Sequence, residues 1–351
     1  MEEFKSKLQN TIYNQTGNVS AKCPSNIALI KYWGKRDVQI PMNPSLSFTL
    51  NESYTQTELR FQPKDTSDFQ VKVYLDQELK ESFSEKIYQF FERIEDFLPF
   101  LRNFNFEIYT HNTFPHSSGI ASSASGMGAL ALCLVDLENE LGAGMNDAQK
   151  TKKASFLARL GSGSACRSVY PGITVWGETR LVAGSSHLFS VPYPYEIHPV
   201  FRDFQDTILL IDEGEKEVSS TVGHNLMNNH PYAERRFQSA EENLEKLISV
   251  LKTGDLDAFG QIVEHEALSL HAMMLTSTPY YILMKPNTLK AIEALWNFRK
   301  ETDLPLYFTL DAGANVHLLY PKKDKEKIEE FIESSLKPFC KDGKLIKDYI
   351  I

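Results

Sequence analysis

Four short segments of the chain gather side chains that can hold an anion or move a proton. The first, Lys31-Tyr-Trp-Gly-Lys-Arg-Asp37, sets two aromatic rings and a glycine between two lysines. Such a group suits an anionic ligand, and it equally suits an ordinary strand end with solvated lysines. The second runs from Asn112 to Gly128 and holds Ser117, Ser118, Gly119, Ser122, Ser123 and Ser125. It leads into apolar positions at Met127, Leu130, Leu134, Leu137 and Leu141, a spacing that marks one face of a helix. Backbone N–H groups, hydroxyls and the positive end of a helix dipole would meet there, as a nucleotide triphosphate needs. A serine turn capping a core helix would read the same way, and the GxxxxGK[ST] order of a Walker A loop is missing.

The third segment, Gly161-Ser-Gly-Ser-Ala-Cys-Arg-Ser168, adds a guanidinium to a cluster of hydroxyls. The planar fork of Arg167 fits a carboxylate or phosphate with two bonds, which a lysine cannot do; it could also satisfy helix-end carbonyls. In the fourth, Leu306–Tyr320, Asp311 ends an apolar strand just before Gly313. A carboxylate held by rigid backbone can act as a base, although Asp also opens turns for its own sake. The nine histidines show no HExxH order, and none is assigned a role.

The elements that must position these groups alternate between strand and helix. Thr55–Leu59, Phe69–Leu75 and Phe104–Thr110 alternate as strands do, and Asp147–Leu160 reads as a helix stopped by Gly161. The proline-rich passage Val191–Pro199 marks a boundary between residues 1–195 and 196–351. Beyond it lie a strand at Thr207–Ile211, helices at Ala233–Leu251 and Leu256–Met274, and a strand pair flanking Asp311. The fold class is α+β.

Composition narrows the function. A chain of 351 residues, 42% apolar, can bury a sizeable core. A net charge of -9 argues against nucleic acid as a partner, so an anionic ligand must meet a focused site. The N-terminus has no apolar leader-like run and no stretch approaches the ~20 residues of a membrane helix, so no membrane partner and a cytoplasmic location are expected. Cys23, Cys133, Cys166 and Cys340 are scattered without a CxxC pair, which suggests reduced, buried thiols.

Taken in order, KYWGKRD with Ile40-Pro-Met-Asn-Pro-Ser-Leu-Ser47, then SGIASSASG, GSGSACRS, Val218-Ser-Ser-Thr221 and Leu310-Asp-Ala-Gly-Ala-Asn315 resemble the mevalonate diphosphate decarboxylases of the GHMP kinase superfamily. The resemblance runs from about Ala21 to Tyr320. It implies a GHMP kinase-like ATP-binding N-terminal domain with a left-handed βαβ crossover, and a ferredoxin-like C-terminal domain. The implied reaction is ATP-dependent decarboxylation of mevalonate 5-diphosphate to isopentenyl diphosphate, with Mg²⁺ as the metal, metal ligands unassigned, and a homodimer as the assembly. By the same resemblance Asp311, Arg167 and Ser220 are catalytic, Arg167 on the substrate carboxylate. Tyr32, Lys35, Ser162 and Ser164 surround the substrate, Lys35 at its diphosphate. Ser118, Gly119, Ser122 and Ser123 meet the nucleotide phosphates. Lys31 and Trp33 carry the pattern without an assigned role. The chain departs from the family at Pro115-His-Ser-Ser-Gly-Ile, at Ala314 where Pro is usual, and at Thr221, where some bacterial members have an Arg reaching the diphosphate. A kinase that stops at the phosphorylated alcohol, and a silent ligand-binding paralogue, are the other readings.

Overall fold

A computed structural model describes the chain except residues 9–12, 65–69, 116–120, 215–219 and 351, and except the side chains of 220 and 221. The N-terminal sheet is organised by one long strand, Ser45–Pro63, because a run of 19 residues can pair with several neighbours in succession. Gly17–Ile30 lies antiparallel to it along most of its length, Phe104–Asn112 pairs with its second half, and Ile173–Trp176 with its first. The pairing of Gly17–Ile30 shifts register between Pro24 and Asn26. Pro24 has no N–H to give the ladder, and the irregularity re-aims the side chain of Asn26. Val71–Leu75 runs parallel to Phe104–Asn112, and the helix Glu81–Ile94 lies between them in sequence, which forms a βαβ unit.

Glu81–Ile94, Ser122–Glu138 and Asp147–Gly161 supply apolar faces to a core that includes Leu59, Phe61, Phe91, Phe106, Leu134 and Phe156. The Asp147–Gly161 helix starts at a capping box, Asn146 with Gln149, and Gly161 is its last residue rather than the first beyond it. A second core joins the halves of the molecule: Ile27, Leu29 and Phe48 of the first sheet pack with Phe204, Ile208, Leu244 and Phe259.

The C-terminal sheet has the spatial order Tyr307–Thr309, Val316–Tyr320, Gln205–Leu209, Leu345–Tyr349, all neighbours antiparallel. With helices between the first and second strands in sequence and again before the last, this is the ferredoxin-like arrangement. The strand expected over Thr207–Ile211 sits two residues earlier, because Leu210 turns to bond with Lys344 and Lys341. The helices Ala233–Thr253 and Leu256–Leu275 lie as expected, and their polar faces reach the first sheet. All four cysteines are free and buried. Among the described residues no helix is long and apolar enough to cross a membrane.

Candidate active site

The site forms where the Gly17–Ile30 strand leaves its sheet. Residues Ile27 to Ile30 are buried, and the chain turns out at Lys31. There its backbone is taken over by side chains of the two C-terminal helices. Lys31 N–H donates to Glu266 Oε2 at 2.9 Å, and Lys31 O accepts from Asn43 Nδ2 at 2.9 Å and from Arg236 Nη2 at 3.3 Å. Glu266 is fully buried and accepts from Arg236 at 2.6 and 3.1 Å and from Asn243 at 2.7 Å. A buried carboxylate is stable only when paired and bonded in this way. The clamp locks the start of KYWGKRD to the second half of the molecule.

So held, the Lys31 side chain is 1% exposed and its Nζ donates to Asp311 Oδ1 at 2.8 Å, while the Asp311 side chain keeps 27% of its surface open. Burial pulls the Lys31 pKa down and Asp311 opposes that pull. Asp311 stands in the turn between Tyr307–Thr309 and Val316–Tyr320, where its carbonyl accepts from Gly313 N–H at 2.7 Å. The same carbonyl lies 3.1 Å from His271 Nε2. Burial brings His271 down to about 4, so the ring is neutral at pH 7, and since a carbonyl only accepts, its one proton sits on Nε2. The turn that presents the carboxylate is therefore fixed from behind.

Arg167 is buried, in the one-turn helix Ala165–Ser168. Its Nη1 donates to Ser45 Oγ at 2.6 Å and its Nε to Asn26 Oδ1 at 3.3 Å. Asn26 in turn donates to Ser168 Oγ at 2.7 Å, so the irregular strand position at Pro24–Asn26 serves to aim this arginine. A guanidinium has five N–H donors, and two bonds leave capacity for a ligand oxygen. Burial lowers its pKa and Asp311 raises it, which places the two within each other's field.

Tyr32 lies edge-on to Trp176 at 4.6 Å, and its Oη is buried with no partner among the described residues. A Cβ on Gly163 would stand 3.0 Å from that oxygen and 2.9 Å from the indole, so the second glycine of Gly161-Ser-Gly163 is needed for the ring to approach. Ser162 Oγ lies 3.4 Å from Ser123 Oγ, which brings the second hydroxyl cluster to the opening of the Ser122–Glu138 helix. Ser164 begins the one-turn helix and its carbonyl accepts from Asn26. Lys35 is half-buried, with Nζ 3.3 Å from Gln39 Oε1, and burial and then Arg93 lower its pKa. Arg93 itself donates to Leu160 O at 2.6 Å, beside Gly161.

Of the residues expected at the site, Tyr32, Lys35, Ser122, Ser123, Ser162, Ser164, Arg167 and Asp311 thus lie on segments linked by these contacts. Ser118 and Gly119 lie outside the described residues. Ser220 opens the helix Ser220–Asn225, and its side chain is also outside them. Sequence reasoning missed Glu266, Arg236, Asn26, Ser45, His271, His224 and Arg93. Asn26 stood next to a visible signal, Pro24 inside a strand; charged residues at helical spacing give none, because they read as a solvated face.

A buried lysine on a carboxylate, a buried arginine within its field and a serine-lined helix N-terminus, carried on an α+β domain joined to a ferredoxin-like one, suit an enzyme with an anionic ligand and a proton acceptor. Comparison with known proteins agrees. Residues 23–187 match the diphosphomevalonate decarboxylase-like N-terminal domain and residues 207–349 the mevalonate 5-diphosphate decarboxylase C-terminal domain. The diphosphomevalonate decarboxylase of Ganoderma lucidum is 30% identical over 339 residues, covering 91% of this chain and 82% of that protein. The crystal structure of the Staphylococcus aureus mevalonate diphosphate decarboxylase superposes with a TM-score of 0.82 at 30% identity, covering 97% of this chain and 98% of that one. MDDEF in complex with MVAPP, AMPPCP and magnesium superposes at 0.80 with 29% identity, covering 95% and 97%. The chain belongs to the mevalonate diphosphate decarboxylase family.

Proposed function

We propose that the chain converts mevalonate 5-diphosphate and ATP into isopentenyl diphosphate, ADP, phosphate and carbon dioxide, with Asp311 as the group that takes the proton of the C3 hydroxyl. The observation that carries this reading is the Lys31–Asp311 pair at 2.8 Å within the field of buried Arg167. Lys31 holds the carboxylate in place, and the part of the Asp311 side chain that stays exposed can meet the hydroxyl. Arg167 binds the substrate carboxylate through its remaining donors, with Ser162 and Ser164 beside it and the unpartnered Tyr32 hydroxyl as a further donor. Lys35 meets the diphosphate, and Arg93, which acts on Lys35, is a second cation at that end.

The tertiary hydroxyl is a poor leaving group. Transfer of the ATP γ-phosphoryl group to its oxygen, with ADP leaving and Asp311 taking the proton, makes a good one, and departure of that phosphate draws the electron pair of the bond to the carboxylate into a double bond as carbon dioxide leaves. Arg167 therefore has to hold the carboxylate aligned with the breaking bond, a positional task suited to a fork. The Ser122 and Ser123 hydroxyls at the positive end of the Ser122–Glu138 helix suit nucleotide phosphates. Ser122, Ser123, Ser118 and Gly119 would hold them, with Ser220 near the phosphoryl in transit. Mg²⁺, when bound with ATP, supplies charge neutralisation on the phosphate oxygens. A homodimer in the cytoplasm completes the reading on family resemblance, and light scattering decides the first part.

The test is to incubate the purified protein with Mg-ATP and mevalonate 5-diphosphate and to follow ADP and carbon dioxide together. Equal amounts are expected. ADP without carbon dioxide would establish a kinase instead.

A further inference from the structure

One buried titratable group takes no part in the chemistry above. His224, on the Ser220–Asn225 helix, is 7% exposed, and its Nδ1 accepts from Gly34 N–H at 3.0 Å. Its ring lies 4.2 Å from that of Tyr32 and 4.5 Å from that of Trp33. One imidazole thus touches three successive residues, Tyr32, Trp33 and Gly34, immediately before Lys35. We propose that His224 is a positioning residue for the diphosphate end of the substrate, holding the peptide from which Lys35 reaches that ligand. The proposal rests on the reading of Lys35 given above.

Several features make this contact a designed one. Gly34 has φ +95°, and a Cβ there would meet the Phe237 ring at 2.8 Å, so the chain turns sharply at this residue with its N–H directed at the histidine. The neighbouring Gly223 lets Trp33 lie on the short helix, since a Cβ there would stand 2.7 Å from the indole. Lys31, at the other end of the same stretch, is held separately by Glu266, Arg236 and Asn43. The tripeptide between the two lysines is therefore clamped at each end by a different element. Glu266 serves the Lys31 end and His224 the Lys35 end. Among the described residues the Lys35 ammonium bonds to the side chain of Gln39, only four residues on, so its direction depends on the backbone that carries it.

The ring suits the task because it is neutral. Burial, Lys35 and Arg167 all disfavour the imidazolium and bring its pKa to about 3. A neutral ring that accepts at Nδ1 carries its proton on Nε2. An imidazolium would instead set one N–H against another and release Gly34.

The experiment uses the full chain with Mg-ATP and mevalonate 5-diphosphate and compares His224→Leu, His224→Asn, His224→Gln and Lys35→Ala. An Asn carbonyl reaches the place of Nδ1, whereas the longer Gln reaches that of Nε2. His224→Leu strands the Gly34 N–H and is expected to raise KM for the diphosphate about tenfold, with KM for ATP changed less than about twofold. Asn restores most of that loss, and Gln does not. Parallel rises in both KM values, or equal behaviour of Asn and Gln, would overturn the proposal. If the Leu variant does not fold, the Asn and Gln pair decides alone. A selective rise in Lys35→Ala with none in His224→Leu or His224→Gln would remove His224 and leave Lys35 standing. No selective effect in Lys35→Ala would remove the Lys35 reading, and this proposal with it.

Discussion

Replacing Lys31 with methionine removes one charge and keeps the length of a side chain that is 1% exposed. The structure separates two consequences. For stability, taking one member from a buried ion pair costs about 3–5 kcal/mol when the other is stranded. Asp311 is not stranded, because 27% of its side chain is open and water can replace the ammonium. Methionine also escapes the desolvation that lowers the lysine pKa. The net change in unfolding free energy should therefore stay within about 1–2 kcal/mol, the usual range for a single substitution. For turnover, the lost bond is charge-assisted and worth about 1.5–3 kcal/mol, which corresponds to about 10- to 150-fold in rate if the carboxylate is positioned only in the parent. Steady-state kcat and thermal unfolding on the same preparations separate the two effects. In the parent enzyme the loss of activity at high pH should begin below pH 10.5, since burial shifts Lys31 downward from that value. Near-parental kcat in Lys31→Met would refute the reasoning, and so would a drop in stability that accounts for the whole loss of activity.

Arg167→Lys keeps the charge and loses the fork, so product formation should fall on the order of 10²-fold through misalignment of the carboxylate, beyond any loss of stability; coupled ADP and carbon dioxide assays beside thermal melts check this. Lys35→Ala should weaken mevalonate 5-diphosphate binding far more than ATP binding, as calorimetry with each ligand would read. His224 and His271 are held neutral at about 3 and about 4, below the ordinary 6.5, so the unfolded chain binds more protons between those values. Their contribution to stability is complete above pH 6.5 and declines as pH falls, by about 1.4 kcal/mol per pH unit for each ring. Denaturant melts from pH 7 to 4 measure the slope, and His271→Asn, which can still donate to Asp311 O, should remove one ring's share.

The strands and helices that carry the site were legible because each obeys a local rule. Phe104–Asn112 alternates, Asp147–Gly161 is a helical run closed at a glycine, and the strands around Asp311 are apolar runs broken by a glycine turn. Arg167 and Asp311 stood out because an arginine among hydroxyls and a carboxylate at a strand end are chemically pointed arrangements. What could not be read is the support. Glu266 and Arg236 bind the Lys31 backbone from helices more than 200 residues away in sequence, at |i−j| of 235 and 205. On their own helices they look like solvated charges, and only the packing of the two halves buries them. The sequence likewise assigns no role to His271 or His224. Their role comes from the carbonyl and the N–H that the fold brings to them, and no spacing within the helix announces either.

Asp311 is the proposed acceptor of the C3 hydroxyl proton, and Asp311→Asn tests that role most directly. Asparagine keeps the shape and can still bond to Lys31 through its carbonyl oxygen, but it cannot take a proton at neutral pH. It also favours turns, so the backbone before Gly313 should hold. Turnover with Mg-ATP and mevalonate 5-diphosphate should drop by roughly 10²- to 10⁴-fold, the range for a lost general base, while nucleotide affinity and thermal unfolding stay close to the parent. A folded Asp311→Asn protein that turns over at near-parental rate would contradict it.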